Sequence, residues 1–246
     1  MEKKHSTRLC LPSYLVDFKQ NLRPSSFMSL AQEMAMEGAE VLNFGFEDLA
    51  KHDLAWVVSR TKLVFNRAPR WKEFVEFSTW HKGVKGLYFI RDYQMTDKDG
   101  RVIVNGTSSW ITINTKTRTL FRTDELSNYF DISPQNTESA LVEPASKILL
   151  PKGMQLVGSH KVTYSDVDFI GHANNTSYIV WAMDFLPEEL LRNSYPKSVE
   201  INFNKETRAG EIIDIFRQVE KVDLSDVVTF EGKVDNVTHF VARFIY

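Results

Sequence analysis

Phe27, Leu30, Ala31, Met34, Gly38, Val41 and Leu42 recur at steps of three and four residues, the period of one helix face. Ser25 or Ser26 is placed to cap the start of this segment and Gly45 to end it, so the spacing predicts a helix buried along one side. Short runs rich in Val, Ile, Phe, Trp and Thr follow at Leu54–Asn66, Glu73–Lys82, Gly86–Met95 and Arg101–Thr115, with Asp97-Lys98-Asp99-Gly100 as a hairpin turn between the last two. One helix followed by four strands is an antiparallel arrangement. The pattern then repeats: a strand at His160–Tyr164, a helix near Ala173–Leu186, and strands at Ser198–Asn204, Glu211–Val222, Asp226–Val234 and Thr238–Tyr246.

Overlaying the two halves tests the repeat. Residues 63–77, which contain Phe65-Asn66-Arg67, Arg70, Glu73 and Glu76, align without gaps to residues 201–215, which contain Phe203-Asn204-Lys205, Arg208, Glu211 and Asp214, at an offset of 138. Upstream, Asp17-Phe18 meets Asp168-Phe169, Ser26-Phe27 meets Ser177-Tyr178, and Ala31 meets Ala182, at an offset of 151. The difference, 151 − 138 = 13 residues, is an insertion between helix and strand in the first half. Because both matched stretches fall on the same predicted elements, the chain reads as an α+β tandem pair, each unit one helix wrapped by an antiparallel sheet. The expected boundaries are an N-terminal unit over 1–130, a linker over 131–147 that includes Pro134, Gln135, Asn136, Thr137, Glu138 and Pro144, and a C-terminal unit over 148–246.

Composition narrows the class without naming a function. The 246 residues are 43% hydrophobic and 25% charged, enough apolar material for a sizeable core, which excludes disordered and fibrous classes. Thirty Lys and Arg against 32 Asp and Glu give a net charge of −2, so there is no overall basic field for nucleic acid. The longest stretches free of charged residues, Val102–Thr115 and Phe169–Met183, fall short of the roughly 18 apolar residues that span a bilayer. The start, Met1-Glu2-Lys3-Lys4-His5-Ser6, has no apolar run behind it, and the expected location is the cytoplasm. Cys10, the single cysteine, excludes an internal disulfide and a multi-thiolate zinc site.

Gly-x-Ser-x-Gly, P-loop, dinucleotide-binding and His-Glu-x-x-His signatures are all absent. The chemistry concentrates in Tyr164–Tyr178, where Asp168, Gly171, His172, Asn174 and Asn175 lie between a predicted strand and a predicted helix. At such a junction the helix's free N–H groups and dipole can stabilise a carbonyl oxygen that gains negative charge. A plain helix cap by Asp168 or Asn174 accounts for part of the same pattern. The comparison of halves bears on this choice, because the first half keeps Asp17 but has Asn21 opposite His172 and Ala68 opposite Glu206. Ionisable groups added in one unit suit a site that works once per chain, with a carboxylate to activate water and a neighbour to steady it. A salt bridge of Glu206 with Lys205 or Arg208 is the structural alternative.

At these residues the chain resembles the acyl-ACP thioesterases, a family built as two fused hotdog units that form one continuous pseudo-dimeric sheet. Asp168, His172, Asn174 and Asn175 match the family's Asp-x-Asn-x-His-x-Asn-Asn stretch, and Phe203-Asn204-Lys205-Glu206 matches the strand that ends in its Glu-Cys pair. The resemblance spans Leu11 to Tyr246. Two positions depart from the family: Ile170 replaces the first Asn, and Thr207 replaces the Cys of plant members, which argues against a thiol nucleophile. The resemblance implies hydrolysis of acyl-ACP to a free fatty acid, with Asp168, His172 and Glu206 catalytic and Gly171, Asn174 and Asn175 binding substrate. It implies no cofactor and no metal. The expected partner is acyl carrier protein carrying its acyl chain on 4'-phosphopantetheine, and the expected assembly is a monomer or homodimer.

Within that frame Glu206 or Asp168 takes a proton from the attacking water, or a carboxylate attacks directly to give a mixed anhydride. The first unit, lacking the ionisable groups, is expected to supply the acyl channel, with Met28, Leu30, Met34, Trp56, Phe65 and Trp80 as lining candidates. Arg67, Arg70, Lys72, Lys205 and Arg208 are candidates for a basic patch facing an acidic carrier. The competing readings are a hotdog acyl-CoA thioesterase, a hotdog dehydratase, a non-catalytic acyl-binding protein, and a metal site built on His160, His172 and an acid.

Overall fold

A computed structural model describes residues 4–246. Of the charged start, Met1–Lys3 lies outside the described residues. The chain divides into two compact units, one holding residues up to Leu22 with Phe27–Ala145, the other Arg23–Ser26 with Ser146–Tyr246.

The first unit contains β1 (His5–Cys10), α1 (Pro24–Glu40) from Phe27 onward, α2 (Phe46–Ala50), β2 (Leu54–Phe65), β3 (Phe74–Lys85), β4 (Tyr88–Asp97), β5 (Val102–Asn114), β6 (Leu120–Phe121) and α3 (Thr123–Leu126). Its antiparallel sheet runs β1-β3-β4-β5-β2, with β6 against β5. The second unit contains β7 (Gln155–Lys161), α4 (Asn175–Asp184), α5 (Glu188–Asn193), β8 (Ser198–Phe203), β9 (Ile212–Val222), β10 (Ser225–Val234) and β11 (Val237–Ile245). Its sheet runs β8-β11-β10-β9-β7, also antiparallel. Replacing each element of one unit by its sequence equivalent in the other gives the same strand order, so the repeat read from the sequence is a repeat of topology.

Helix α1 buries Phe27, Met28, Ala31, Met34 and Ala35. The Phe27 ring meets Phe65 and Phe77 at centroid distances of 6.2 and 5.0 Å, which fixes the helix on the face of the sheet that carries Phe77. Alternation then turns Trp80, three positions further along β3, to the opposite face. Its indole N–H donates to Glu138 O, and Lys4 Nζ lies 4.1 Å from its ring centre. Trp80 is therefore not a lining residue of the helix-facing layer, contrary to expectation. Met28, Met34 and Phe65 are buried, and Leu30 and Trp56 half-buried.

Boundaries shift where local bonds compete with the period. Helix α1 begins at Pro24, whose fixed φ suits a first helical turn, so Ser25 and Ser26 lie inside the helix rather than capping it. It ends at Glu40 before Asn43, which adopts a left-handed conformation (φ 56°), and Gly45 precedes α2 instead of ending α1. The strand expected at His160–Tyr164 lies earlier, at Gln155–Lys161, because the Asp166 carboxylate takes the Thr163 N–H and hydroxyl and folds Tyr164–Asp166 into a 3-10 turn. The turn at Asp97–Gly100 forms as expected: Gly100, at φ 77°, donates its N–H to Asp97 O at 3.0 Å. No helix among the described residues is long and apolar enough to cross a membrane.

Candidate functional site

The loops before α1 and α4 share a backbone frame. In the first unit Asp17 N–H bonds to Asn21 O, Leu22 N–H to Pro69 O, and Leu11 N–H to Glu73 O; in the second Asp168 N–H bonds to His172 O, Ala173 N–H to Thr207 O, and Val162 N–H to Glu211 O. Each pair of bonds is related by the offsets of 151 and 138 found in the sequence. Side chains on this common frame differ sharply.

In the second unit His172 Nε2 lies 3.4 Å from Glu206 Oε1, and Arg208 Nη2 donates to the same oxygen at 2.8 Å. The structure thus joins two of the expected residues and also forms the Glu206–Arg208 bridge considered as the alternative. Both side chains of the His172–Glu206 pair are about a quarter to a third exposed, open enough for a small reactant. Asp168 is turned into its own loop: its Oδ1 accepts the Ile170 N–H at 2.9 Å, and its carbonyl accepts the Gly171 N–H at 3.0 Å. Gly171 takes φ 91°, a left-handed conformation that favours glycine, and Ile170 is exposed beside it.

Asn174 caps α4. Its Oδ1 accepts the N–H and the hydroxyl of Thr176, each at 2.9 Å, and its own N–H donates to Asp166 O. This cap, with Leu186-Pro187 at the far end, trims the expected Ala173–Leu186 helix to Asn175–Asp184. The Ala173, Asn174, Thr176 and Ser177 N–H groups all have acceptors. Asn175, the first helical residue, keeps an N–H with no acceptor among the described residues.

Two polar clusters escaped sequence reasoning. Asp166 Oδ2 accepts from His160 Nε2 at 2.9 Å and from Thr163, while Oδ1 accepts from Trp181 Nε1 at 3.0 Å. The His160 ring stacks on Trp181 with centroids 4.9 Å apart. Burial pushes the Asp166 carboxyl up, but the bonds from His160, Thr163 and Trp181 outweigh it and hold the group below the ordinary carboxylate range. The second cluster joins Tyr178, Thr207 and His239, all buried: Tyr178 Oη donates to Thr207 Oγ1 at 3.0 Å, which lies 2.7 Å from His239 Nδ1. A sequence signal existed for the first: the offset of 151 sets Leu9, Leu15 and Leu30 opposite His160, Asp166 and Trp181.

Of the candidate basic patch, Arg67 is bound to Glu73 and Asp97, Arg208 to Glu206, and Lys72 lies over the Trp71 ring. Carboxylates in the same loops offset much of that charge.

Residues 2–129 match the acyl-ACP thioesterase N-terminal domain and residues 152–239 the acyl-ACP thioesterase C-terminal domain. Among curated relatives, oleoyl-acyl carrier protein thioesterase 2 of Arabidopsis thaliana, a chloroplast protein, is 26% identical over 227 residues, covering 85% of this chain and 61% of the relative. An acyl-[acyl-carrier-protein] hydrolase of Cuphea viscosissima is 26% identical over 216 residues, covering 82% and 52%. The chain thus spans about half to three-fifths of the length of these relatives. The fold matches an acyl-ACP thioesterase of Bacteroides thetaiotaomicron (TM-score 0.88, 24% identity, 98% and 97% of the two chains) and the 12:0-ACP thioesterase of Umbellularia californica (TM-score 0.82, 21% identity, 98% and 96%). With both domain models matched in order along its length, the chain belongs to the acyl-ACP thioesterase family.

Proposed function

We propose that this chain hydrolyses the thioester of acyl-ACP, releasing a fatty acid and the carrier's thiol, with the second unit as the catalytic one. The observation that carries this reading is the His172–Glu206 contact at the entrance to α4, formed from groups whose counterparts in the first unit are Asn21 and Ala68. The carrier is the expected partner because the family is defined by that substrate, and the phosphopantetheine arm brings the thioester to the protein.

In the proposed step the thioester carbonyl lies at the N-terminus of α4, where the Asn175 N–H and the helix dipole stabilise the developing oxyanion. Water attacks the carbonyl carbon while Glu206 takes its proton, and His172 holds the carboxylate in place. Collapse of the tetrahedral intermediate breaks the carbon–sulfur bond, and the proton held by Glu206 passes to the departing thiolate. Asp168, bound to its own loop, shapes the turn that presents His172 and is the second carboxylate of the site. Asn174 supports substrate binding by fixing the helix start.

Glu206→Gln is the direct test. Thiol release from acyl-ACP is expected to fall by about 100-fold or more, since losing one general base commonly costs that much. Near-normal turnover by both Glu206→Gln and Asp168→Asn would overturn the reading. Loss of water from a 3-hydroxyacyl substrate without thiol release would identify a dehydratase, and tight acyl binding with neither reaction a non-catalytic protein.

A further inference from the structure

Glu206 lies outside regular structure, on the segment between β8 and β9, yet a base must hold its carboxylate within a fraction of an ångström to act on a bound water. The bonds that fix this segment converge on α4 and β11. His239 O accepts the N–H groups of Asn204 (2.8 Å) and Lys205 (3.1 Å). On the other side of Glu206, Thr207 O accepts the Ala173 N–H (2.8 Å), while Thr207 Oγ1 sits between Tyr178 Oη (3.0 Å) and His239 Nδ1 (2.7 Å).

Tyr178 has one hydroxyl proton, and its shorter bond is to Thr207 Oγ1; the contact to Lys205 O is 3.5 Å. Thr207 Oγ1 and His239 Nδ1 share the next bond, in which either atom can be the donor, and the remaining ring nitrogen of His239 is Nε2. That Nε2 is buried and has no hydrogen-bond partner among the described residues.

A hydroxyl 2.7 Å from an imidazole is also the pairing used to activate a nucleophile. Thr207, however, has no exposed surface, and its oxygen is enclosed by Tyr178 and His239, so a thioester carbonyl has no approach to it. The first unit supplies the internal control. There Phe27, Pro69 and Ile103 occupy the equivalent places, and the bonds Leu22 N–H to Pro69 O and Asn66 N–H to Ile103 O form without polar side chains. The backbone frame does not require the three polar groups, which are present in the unit that carries Glu206.

We propose that Tyr178, Thr207 and His239 are positioning residues that hold the Lys205–Thr207 segment so that the Glu206 carboxylate faces His172. This inference rests on the assignment of Glu206 as the base.

The test compares Thr207→Val, Tyr178→Phe and Thr207→Ser with wild type and Glu206→Gln in the full chain, reading thiol release from acyl-ACP together with thermal melts. Thr207→Val keeps the shape and removes the hydroxyl, and Tyr178→Phe recreates the ring found at Phe27. Each is expected to lower kcat by about tenfold while KM stays within about twofold, the signature of an interaction lost in the transition state, with Thr207→Ser recovering most of kcat. Folded Thr207→Val and Tyr178→Phe enzymes with wild-type kcat would overturn the proposal, as would a Thr207→Ser enzyme as slow as Thr207→Val. Should Thr207→Val fail to fold, Tyr178→Phe decides alone. An active Glu206→Gln enzyme would instead remove the base assignment and the proposal with it.

Discussion

Glu206 Oε1 is shared by two partners, the Arg208 guanidinium at 2.8 Å and the His172 imidazole at 3.4 Å. The shorter contact is the less consequential on physical grounds: Arg208 is 63% exposed, and exposed ion pairs contribute about 0–1 kcal/mol. Arg208→Gln is expected to change kcat by less than about fivefold on that scale, whereas His172→Gln, which removes the partner inside the site, costs about 100-fold. Steady-state thiol release by the two variants checks this. A larger loss in Arg208→Gln would show that the salt bridge, not the imidazole, organises Glu206.

Asn174 is the N-cap of α4, with its side-chain oxygen occupied by Thr176. Asn174→Ala should cost about 1 kcal/mol, which in a chain of this size lowers the melting temperature by about 2–4 °C, and Asn174→Ser should restore most of it. Activity is expected to follow the melt. If Asn174→Ser were fully stable but inactive, the amide would be acting on substrate directly.

Asp166 accepts from His160, Thr163 and Trp181, so its removal strands several donors at once. Asp166→Ala is expected to destabilise by about 2–3 kcal/mol, the cost of leaving partly buried donors without an acceptor. Denaturant unfolding measures this directly. Asp166→Asn, which still accepts but carries no charge, should lose less.

His81, in the first unit, is buried, with Nε2 3.2 Å from Ile132 O, and burial pulls its imidazole down to about 4. An unfolded histidine titrates near 6.5, so between pH 6.5 and 4 the unfolded chain binds a proton that the folded chain does not. Stability therefore falls as pH drops through that window, by about 3 kcal/mol at most, and the loss levels off below it. Asp166, held below the ordinary carboxylate range, adds its own loss only at still lower pH. Burial also pulls His239 down, which adds a loss of the same sign. The difference in unfolding free energy between pH 7 and pH 4.5 should therefore shrink, not vanish, when His81 is replaced by Leu; an unchanged difference would assign the acid sensitivity elsewhere.

How much of this was legible in the sequence depended on the kind of signal. Strands β2–β5 and β8–β11 and the turn at Asp97–Gly100 follow from period-2 alternation and turn chemistry, whereas the edge strand β1 and the two-residue β6 carry too short a pattern to be read and β7 lies earlier than its pattern suggested. The repeat followed from matched residues such as Asn66 and Asn204, whose N–H groups do the same work in both units. The pairing of His172 with Glu206, 34 positions apart, was inferred from their joint absence in the first half. His239 left no such trace: its equivalence with Ile103 appears only once the strand register places both carbonyls on an Asn N–H. The turn at Tyr164–Asp166 and the start of α4 moved because Asp166 and Asn174 bind backbone N–H groups that a periodic pattern does not record.

The measurement closest to the central claim is thiol release from acyl-ACP and acyl-CoA thioesters of increasing chain length, by wild type and Glu206→Gln. Release that favours the carrier-linked substrates and collapses in Glu206→Gln is the predicted result. Wild-type release that survives Glu206→Gln would contradict the site, and no release from any thioester would contradict the assignment of a hydrolase.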